Sequence, residues 1–172
     1  MQSVMIDIET LGLGPNAPIV QIAATTFDIL DPEFNQYCQP GTGTVDAGTM
    51  TFWLEMEDEA RLTLAKGLRT AMPMHDVLWD LRDWFGSLGT VDEVWSHGPA
   101  FDIHLLSNAF ARHHMEVPWH YRSIRDTRTL YQLAYGEPTP PPIDDHHVAH
   151  NALDDCRAQV IQVQDAIKEL CR

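Results

Sequence analysis

The sequence predicts an α/β fold in which antiparallel strands come first and helices then pack on a mixed sheet. Two observations predict it. Segments rich in β-branched residues lie near the start of the chain, and a turn that contains Gly12, Gly14, Pro15 and Pro18 separates them. Beyond this region, short extended segments alternate with stretches of helical hydrophobic period. We expect the 172 residues to form a single domain with its own hydrophobic core.

Five extended segments and five helices are expected along the chain. β-branched and aromatic residues predict strands over 3–8, 19–28, 33–39, 92–96 and 119–122. Apolar residues at helical spacing predict helices over 49–65, 74–88, 101–114, 126–135 and 149–170. The segment GEPTPPPIDDHHVAH, residues 136–150, has no helical period and predicts a proline-rich loop.

Composition limits the classes of function. The chain has 25 acidic residues against 11 lysines and arginines, which argues against tight nonspecific binding to nucleic acid unless metal ions take part. No apolar run is long enough for a membrane helix, and no basic segment precedes an apolar one at the N-terminus. Three cysteines without a CxxC pattern are typical of the cytoplasm, where we expect the protein to be.

Asp7 and Glu9 raise the first chemical question, because they lie in a strand that is otherwise apolar. Residues two apart on a strand point to the same face, so the two carboxylates would repel each other. A hard divalent ion such as Mg²⁺ or Mn²⁺ removes this difficulty. The alternative is that Glu9 lies beyond the strand in solvent and that Asp7 caps a neighbouring element.

Three more residues extend this pattern. Asp102 follows a predicted strand, at the end where α/β folds bind ligands, although it is also suited to cap the next helix. His150 and Asp155 do not share a face of one regular helix, so they converge only if His150 precedes the helix and Asp155 lies within it. Asp154 competes with Asp155 because it lies four residues after His150. His146 and His147 compete with His150.

These residues, in this order, resemble the three motifs of the DEDDh 3′–5′ exonucleases. Asp-Ile-Glu-Thr-Leu-Gly from Asp7 is similar to the first motif, and His-Gly-Pro-Ala-Phe-Asp, which ends at Asp102, to the second. His150 followed by Asp155 matches the third, so that the resemblance spans residues 7 to 155. It implies an RNase H-like fold with a five-stranded sheet whose leading strands are antiparallel and whose later strands are parallel. Small RNase T-like enzymes of bacteria and phages, the exonuclease VIII and exoribonuclease AS types, are the most similar members.

The resemblance also implies a mechanism. Two Mg²⁺ or Mn²⁺ ions would be held by Asp7, Glu9, Asp102 and Asp155, and His150 would be the general base. The enzyme would act on the 3′ end of single-stranded DNA or RNA and release nucleoside 5′-monophosphates. Family members often form dimers, so the resemblance allows a homodimer. We expect no membrane partner.

Four residues are candidates for substrate contacts. Thr10 and Leu11 follow the first motif, where the family approaches the terminal nucleotide. Phe101 and Trp53 are candidates for stacking on a base. Phe101 suits the hydrophobic core equally well, and the helical spacing of Trp53 favours a core position.

Two other functions are kept as alternatives. One is a nucleic-acid-binding or regulatory module that has the fold without catalysis. The other is a zinc hydrolase built on acidic and histidine residues of the proline-rich loop, which lack the spacing of a zinc motif: Asp144, Asp145, His146, His147 and His150.

The basic residues of this acidic chain concentrate in one stretch: Arg112, His113, His114, Arg122, Arg125 and Arg128. They would contact phosphates, meet an acidic neighbouring subunit or simply form a solvated face. Asp126, within the same stretch, is expected to pair with an arginine or to cap a helix rather than to bind metal.

Overall fold

The computed structural model describes residues 1–28, 30–143 and 150–172. The strands in these ranges are β1 (Ser3–Thr10), β2 (Ile19–Thr26), β3 (Phe34–Tyr37), β4 (Glu93–Ser96) and β5 (Ile124–Asp126). The helices are α1 (Ala47–Glu55), α2 (Asp58–Leu68), α3 (Met74–Ser87), α4 (Asp102–Arg112), α5 (Thr127–Tyr135) and α6 (Ala152–Leu170). Among the described residues, no helix combines the length and the apolar character that a membrane crossing requires.

The strands form one mixed sheet in the order β3-β2-β1-β4-β5. β1 pairs antiparallel with β2, and β2 pairs antiparallel with β3. β4 lies parallel to β1 on its other side, and β5 lies parallel to β4. This arrangement of antiparallel leading strands followed by parallel ones confirms the fold class that the sequence predicts.

Alternation along β1 divides the core into two layers. Val4, Ile6 and Ile8 pack with apolar residues of α3 and α4 on one face of the sheet. Met5 lies on the other face, in a cluster that includes Cys156 and other inward residues of α6. Asp7 and Glu9 have the same parity as Met5, so they lie on the face that α6 covers.

Two sequence predictions about elements are wrong. The single helix over 49–65 is two helices, because the backbone of Met56 and Glu57 is extended, with ψ values of 156° and 149°. This break starts α2 at Asp58, so that Asp58 and Glu59 lie in a first turn, where the helix dipole favours acids.

The strand over 119–122 is also wrong, because the fifth strand lies at Ile124–Asp126. Trp119 is instead fixed in the core, where its ring lies 5.7 Å from that of Phe85 and 5.9 Å from that of Phe110. A turn follows, in which the amide of Ser123 donates to the carbonyl of His120 at 2.9 Å.

Candidate active site

Asp7 and Glu9 lie in the second half of β1, beyond the residues Ser3, Val4 and Met5 that pair with β4. Their partners on β2 are Ala23 and Gln21, and the register then shifts between Glu9 and Thr10. Such an irregularity leaves one residue of the partner strand unpaired and turns the strand locally, and it is common beside active sites. It ends the regular pairing of β1 immediately after the second carboxylate.

Asp102 comes to the same edge of the sheet from the neighbouring strand. β4 ends at Ser96, and a short turn leads to Asp102, the first residue of α4. The turn is closed by the amide of Asp102, which donates to the carbonyl of Gly98 at 3.0 Å. Because β1 and β4 are parallel, their carboxyl ends meet at one edge, and Asp102 therefore lies near Asp7 and Glu9.

The start of α6 brings in the last two residues. Asn151 is the N-cap and accepts hydrogen bonds from the amides of Leu153 and Asp154. The amide of Ala152 donates to the side-chain oxygen of Gln21 on β2 at 3.3 Å, which ties the helix start to the sheet. Asp155 lies one turn into the helix and His150 lies just before it. This is the arrangement that the sequence requires if the two are to converge.

One cavity of about 310 Å³ collects these side chains. The described residues that line it are Asp7, Ile8, Glu9, His97, Gly98, Phe101, Asp102, Arg128, His150, Asp155 and Gln159. Ligand atoms of Glu9, His150 and Asp155 all lie within 4.8 Å of one another. Four carboxyl groups and a histidine that are up to 148 residues apart in the sequence thus face one small space.

Burial and mutual repulsion act strongly on these carboxyl groups. Burial, and then the charges of the nearby Asp155 and Asp102, together raise the pKa of Glu9 to about 8. Burial also raises the pKa of Asp102 to about 7, although a hydrogen bond with Ser96 and the charge of Arg128 oppose the change. The pKa of Asp7 is raised well above its usual value, first by burial and then by its three acidic neighbours.

This donor set fits divalent ions of the Mg²⁺ and Mn²⁺ type. Those ions prefer carboxylate oxygens, and their charge would remove the repulsion that raises the pKa values. Glu9 is 8% exposed and Asp102 is 6% exposed, so water alone cannot screen their charges. A cation in the cavity accounts for carboxylates that are otherwise costly to bury there.

His150 has a specific setting. Its backbone has a φ of 63°, in the left-handed region that costs energy for residues other than glycine. The imidazole packs edge-on against Phe52, with 4.8 Å between ring centroids, and against Trp53 at 6.4 Å. Burial lowers the pKa of His150, which favours the neutral ring that can accept a proton.

Three residues of the site are not identified as site residues in the sequence. Gln159 donates to Asp7 Oδ1 at 3.3 Å, and it lies four residues after Asp155, so helical spacing offered a signal for it. Arg128 lines the cavity and makes no ion pair with any described residue. Phe52 reaches His150 only through the tertiary fold, and no sequence signal identifies it.

The four candidates for substrate contacts have different positions. Phe101 lines the cavity and also packs against the core. Trp53 is buried, and its ring nitrogen donates to the carbonyl of Thr10 at 3.0 Å. The hydroxyl of Thr10 donates to the carbonyl of Gly12 at 2.8 Å, and the backbone of Leu11 bonds to Pro18 and Asp46. Among the described residues, Thr10, Leu11 and Trp53 do not line this cavity.

The competing acids have other partners. Asp154 pairs with Arg157 at 3.0 Å and is not among the described lining residues. Asp126 is the N-cap of α5 and accepts from the amide of Arg128 at 3.1 Å, which confirms the expected capping role. Asp144, Asp145, His146 and His147 lie outside the described residues.

The basic stretch does not form one patch. Arg122 lies over the ring of Tyr121 at 5.4 Å, and Arg125 pairs with Glu93 at 3.1 Å. Arg128 belongs to the acidic cavity, whereas Arg112 and His113 line a separate one. These residues therefore do not act together as one phosphate-binding surface.

Comparison with solved structures supports the fold. Exonuclease I of E. coli, in complex with a dA16 oligonucleotide, superposes with a TM-score of 0.70 at 18% identity, over 98% of this chain and 42% of that one. Exonuclease I of Methylocaldum szegediense gives a TM-score of 0.69 at 16% identity, over 98% and 40% of the two chains. The chain thus spans about two fifths of the length of these exonuclease I proteins.

A third structure is similar over nearly its whole length. The nuclease domain of 3′hExo, a DEDDh family member bound to rAMP, gives a TM-score of 0.74 at 14% identity, over 99% of this chain and 93% of that one. A search of curated protein sequences gives no significant match. The model of the 3′-5′ exoribonuclease Rv2179c-like domain matches residues 2–167. The chain therefore belongs to the Rv2179c-like 3′-5′ exoribonuclease domain family.

Proposed function

We propose that the protein removes nucleotides one at a time from the 3′ end of single-stranded nucleic acid and that it depends on divalent metal ions. One observation carries this proposal: four carboxyl groups and His150 converge in one cavity, where burial raises the pKa of Asp7, Glu9 and Asp102, and acidic neighbours raise those of Asp7 and Glu9 as well. Such a site binds cations, and cations allow an acidic chain to accept a phosphodiester.

The residues present suggest a division of roles. Asp7, Glu9, Asp102 and Asp155 would hold two Mg²⁺ or Mn²⁺ ions. When bound, the ions supply positive charge to the scissile phosphate and to the leaving oxygen. Gln159 would fix the orientation of the Asp7 carboxylate, since its amide nitrogen donates to Asp7 Oδ1.

His150 is proposed as the general base. In this step the imidazole accepts a proton from a water molecule, whose oxygen attacks the phosphorus of the terminal nucleotide. The bond from phosphorus to the 3′-oxygen of the preceding nucleotide breaks, the released 3′-oxygen takes a proton from solvent, and a nucleoside 5′-monophosphate leaves. The aromatic contacts of Phe52 and Trp53 support the imidazole in its strained position.

RNA is the substrate that we favour. The family description names exoribonucleases, and 3′hExo holds a ribonucleotide, whereas exonuclease I of E. coli holds DNA. Dimerisation, a location in the cytoplasm and a phage or prophage source stay predictions from the sequence, as does the single-domain organisation. The alternative of a silent binding module is less well supported, because each residue of the three motifs is present.

The test uses oligonucleotides of one sequence, made as RNA and as DNA and labelled at the 5′ end. With Mg²⁺ or Mn²⁺ we expect a ladder that shortens from the 3′ end, faster on RNA, and no ladder with chelator. A substrate whose 3′ end is base-paired in a hairpin should be shortened more slowly, because the proposed site accepts a single strand. A purified protein that binds both strands but cleaves neither in either metal would show that the binding-module alternative is correct.

A further inference from the structure

A second cavity, larger than the acidic one, lies at the same edge of the sheet. Its volume is about 680 Å³. Its walls are the turn between β1 and β2, the loop that follows β3, the start of α3 and the end of α4. β1 and β3 end at this edge and β2 begins there, so the cavity and the carboxylates of β1 open at one end of the sheet.

The chemistry of this second cavity differs from that of the rest of the molecule. The chain has 25 acidic residues, yet none lies among the described residues that line the cavity. Arg112 and His113 do, and because burial and the neighbouring His75 and Arg112 lower the pKa of His113, the positive charge of the wall comes from Arg112. An anion would therefore meet less repulsion here than at the acidic surfaces that cover most of the protein.

Several polar side chains of the walls make no hydrogen bond to the described residues, although Gln39 donates to the carbonyl of Ala71. Arg112 makes no ion pair and no side-chain hydrogen bond with the described residues. The side chains of Asn16, Thr42 and Thr44 are exposed and likewise make no hydrogen bond within the described chain. A position at the end of a helix explains why a basic residue is tolerated at Arg112, but it gives the guanidinium no ion-pair partner in the part of the chain that the structure describes.

The length of helix α4 gives the approximate separation between the two cavities. Asp102, its first residue, lines the acidic cavity, and Arg112, its last, lines the second one. Ten residues of α-helix span about 15 Å. A stacked single strand advances about 3.4 Å per nucleotide, so this distance corresponds to about four to five nucleotides.

We propose that the second cavity binds the sugar-phosphate backbone of the substrate strand, four to five nucleotides before the 3′ end, with Arg112 on a phosphate. This rests on the proposed function, because it assumes that the 3′ end lies at the carboxylates. The consequence is that affinity for the substrate depends on the length of the strand. Strands too short to reach the cavity bind only at the acidic site, and longer strands gain a second contact.

The test compares strands of two lengths, a trimer and an octamer of the same RNA, with the wild-type protein and with Arg112→Gln. Steady-state cleavage gives kcat/KM, and fluorescence anisotropy gives affinity in an Asp155→Asn background. We expect Arg112→Gln to weaken octamer binding about tenfold, the effect of one charge-assisted contact, and to leave the trimer unchanged. The slope of log affinity against log salt for the octamer should fall by about 0.7.

Two further variants make the result specific. Arg122→Gln removes the same charge from the basic stretch at a position outside both cavities, so it should leave both lengths unchanged. Thr42→Glu places an acid at an exposed position of the cavity wall and should weaken the octamer alone.

The outcomes separate this inference from the function on which it rests. If wild-type protein shortens RNA but Arg112→Gln and Thr42→Glu affect trimer and octamer equally, or neither, the second cavity is not a strand site. If the wild-type protein neither binds nor cleaves any oligonucleotide, the proposed function fails and this inference with it.

Discussion

The ring of Phe52 meets the imidazole of His150 edge-on, with 4.8 Å between their centroids. Phe52 lies on α1 and His150 precedes α6, so this contact joins two elements that are distant in the sequence. The contact helps to hold a histidine whose backbone φ of 63° is unfavourable. The proposed general base therefore has an aromatic neighbour that does not itself line the acidic cavity among the described residues.

Phe52→Leu should lower kcat because the imidazole loses its edge-on support and samples other orientations. We expect a fall of about tenfold, since small misplacements of a catalytic group are costly, with KM and Mn²⁺ affinity little changed. Leu54→Ala, a larger truncation at a more exposed position of the same helix, is the matched control and should have no effect. An equal loss in both variants would indicate that the helix as a whole, and not the ring contact, matters.

His150→Ala should lower kcat by about 10²- to 10⁴-fold, the usual contribution of a general base, while divalent metal still binds. Single-turnover cleavage of a labelled RNA measures the chemical step, and calorimetry with Mn²⁺ measures the metal. His146→Ala and His147→Ala are the comparison. If one of these causes the large loss and His150→Ala does not, the base is assigned to the wrong histidine.

Glu9→Gln should stabilise the metal-free protein at alkaline pH. Burial raises the pKa of Glu9 from 4.5 to about 8, so between these values the folded state holds a proton that the unfolded state has released. The contribution of this group to stability is therefore complete below about pH 4.5 and is lost as the pH rises through 8. Glutamine cannot ionise, so the variant should have a higher Tm than wild type in chelator at about pH 8.

Metal ions should reverse the order of the two Tm values, so that the wild-type protein becomes the more stable. Saturating Mg²⁺ is expected to raise the Tm of the wild-type protein at about pH 8 and to raise that of Glu9→Gln much less, because one ligand is lost. Differential scanning fluorimetry at about pH 5 and pH 8, with chelator and with Mg²⁺, measures all four conditions. Glu55→Gln, at an exposed position of α1, is the control. A wild-type Tm that does not depend on metal at either pH would contradict the cation site.

Arg128→Gln should raise KM for RNA about tenfold, since the guanidinium is a cation in an acidic cavity that lacks an ion-pair partner among the described residues and suits a substrate phosphate. Arg122→Gln is again the control, because that side chain lies over Tyr121. Arg128 also lowers the pKa of Asp102. If its only role is electrostatic, the variant will change the Mg²⁺ concentration needed for activity and leave KM unchanged.

Sequence patterns predict most of the sheet and of the long helices, because those patterns are local. The alternation in β1 and the helical period of α3 and α6 are each visible within one segment. The position of the fifth strand is not visible in this way, since it depends on contacts elsewhere. The break at Met56 is also missed, because the apolar spacing continues across it. Trp119 lies against Phe85 and Phe110, which displaces the strand toward Ile124.

The site residues also differ in whether a local sequence pattern predicts them. Asp7, Glu9, Asp102 and Asp155 are predicted from their order and spacing, because the first two share one face of a strand and the last two lie in the first turns of helices. Phe52 could not be predicted, since only the tertiary fold brings it to His150. Arg128 is predicted only as one of six basic residues that would contact phosphates, and the fold alone places it near Asp102. Trp53 was a candidate for stacking on a base, whereas the fold buries it and its ring nitrogen donates to the carbonyl of Thr10.

The most direct test of the central claim compares two adjacent acids. Asp155 lines the acidic cavity, whereas Asp154 pairs with Arg157, so Asp155→Asn and Asp154→Asn make the same chemical change one residue apart. The measurement is shortening of a 5′-labelled RNA from its 3′ end in Mg²⁺. We predict that Asp154→Asn shortens the RNA at the wild-type rate and that Asp155→Asn does not shorten it. Equal activity in the two variants would contradict the assignment of this cavity as the active site.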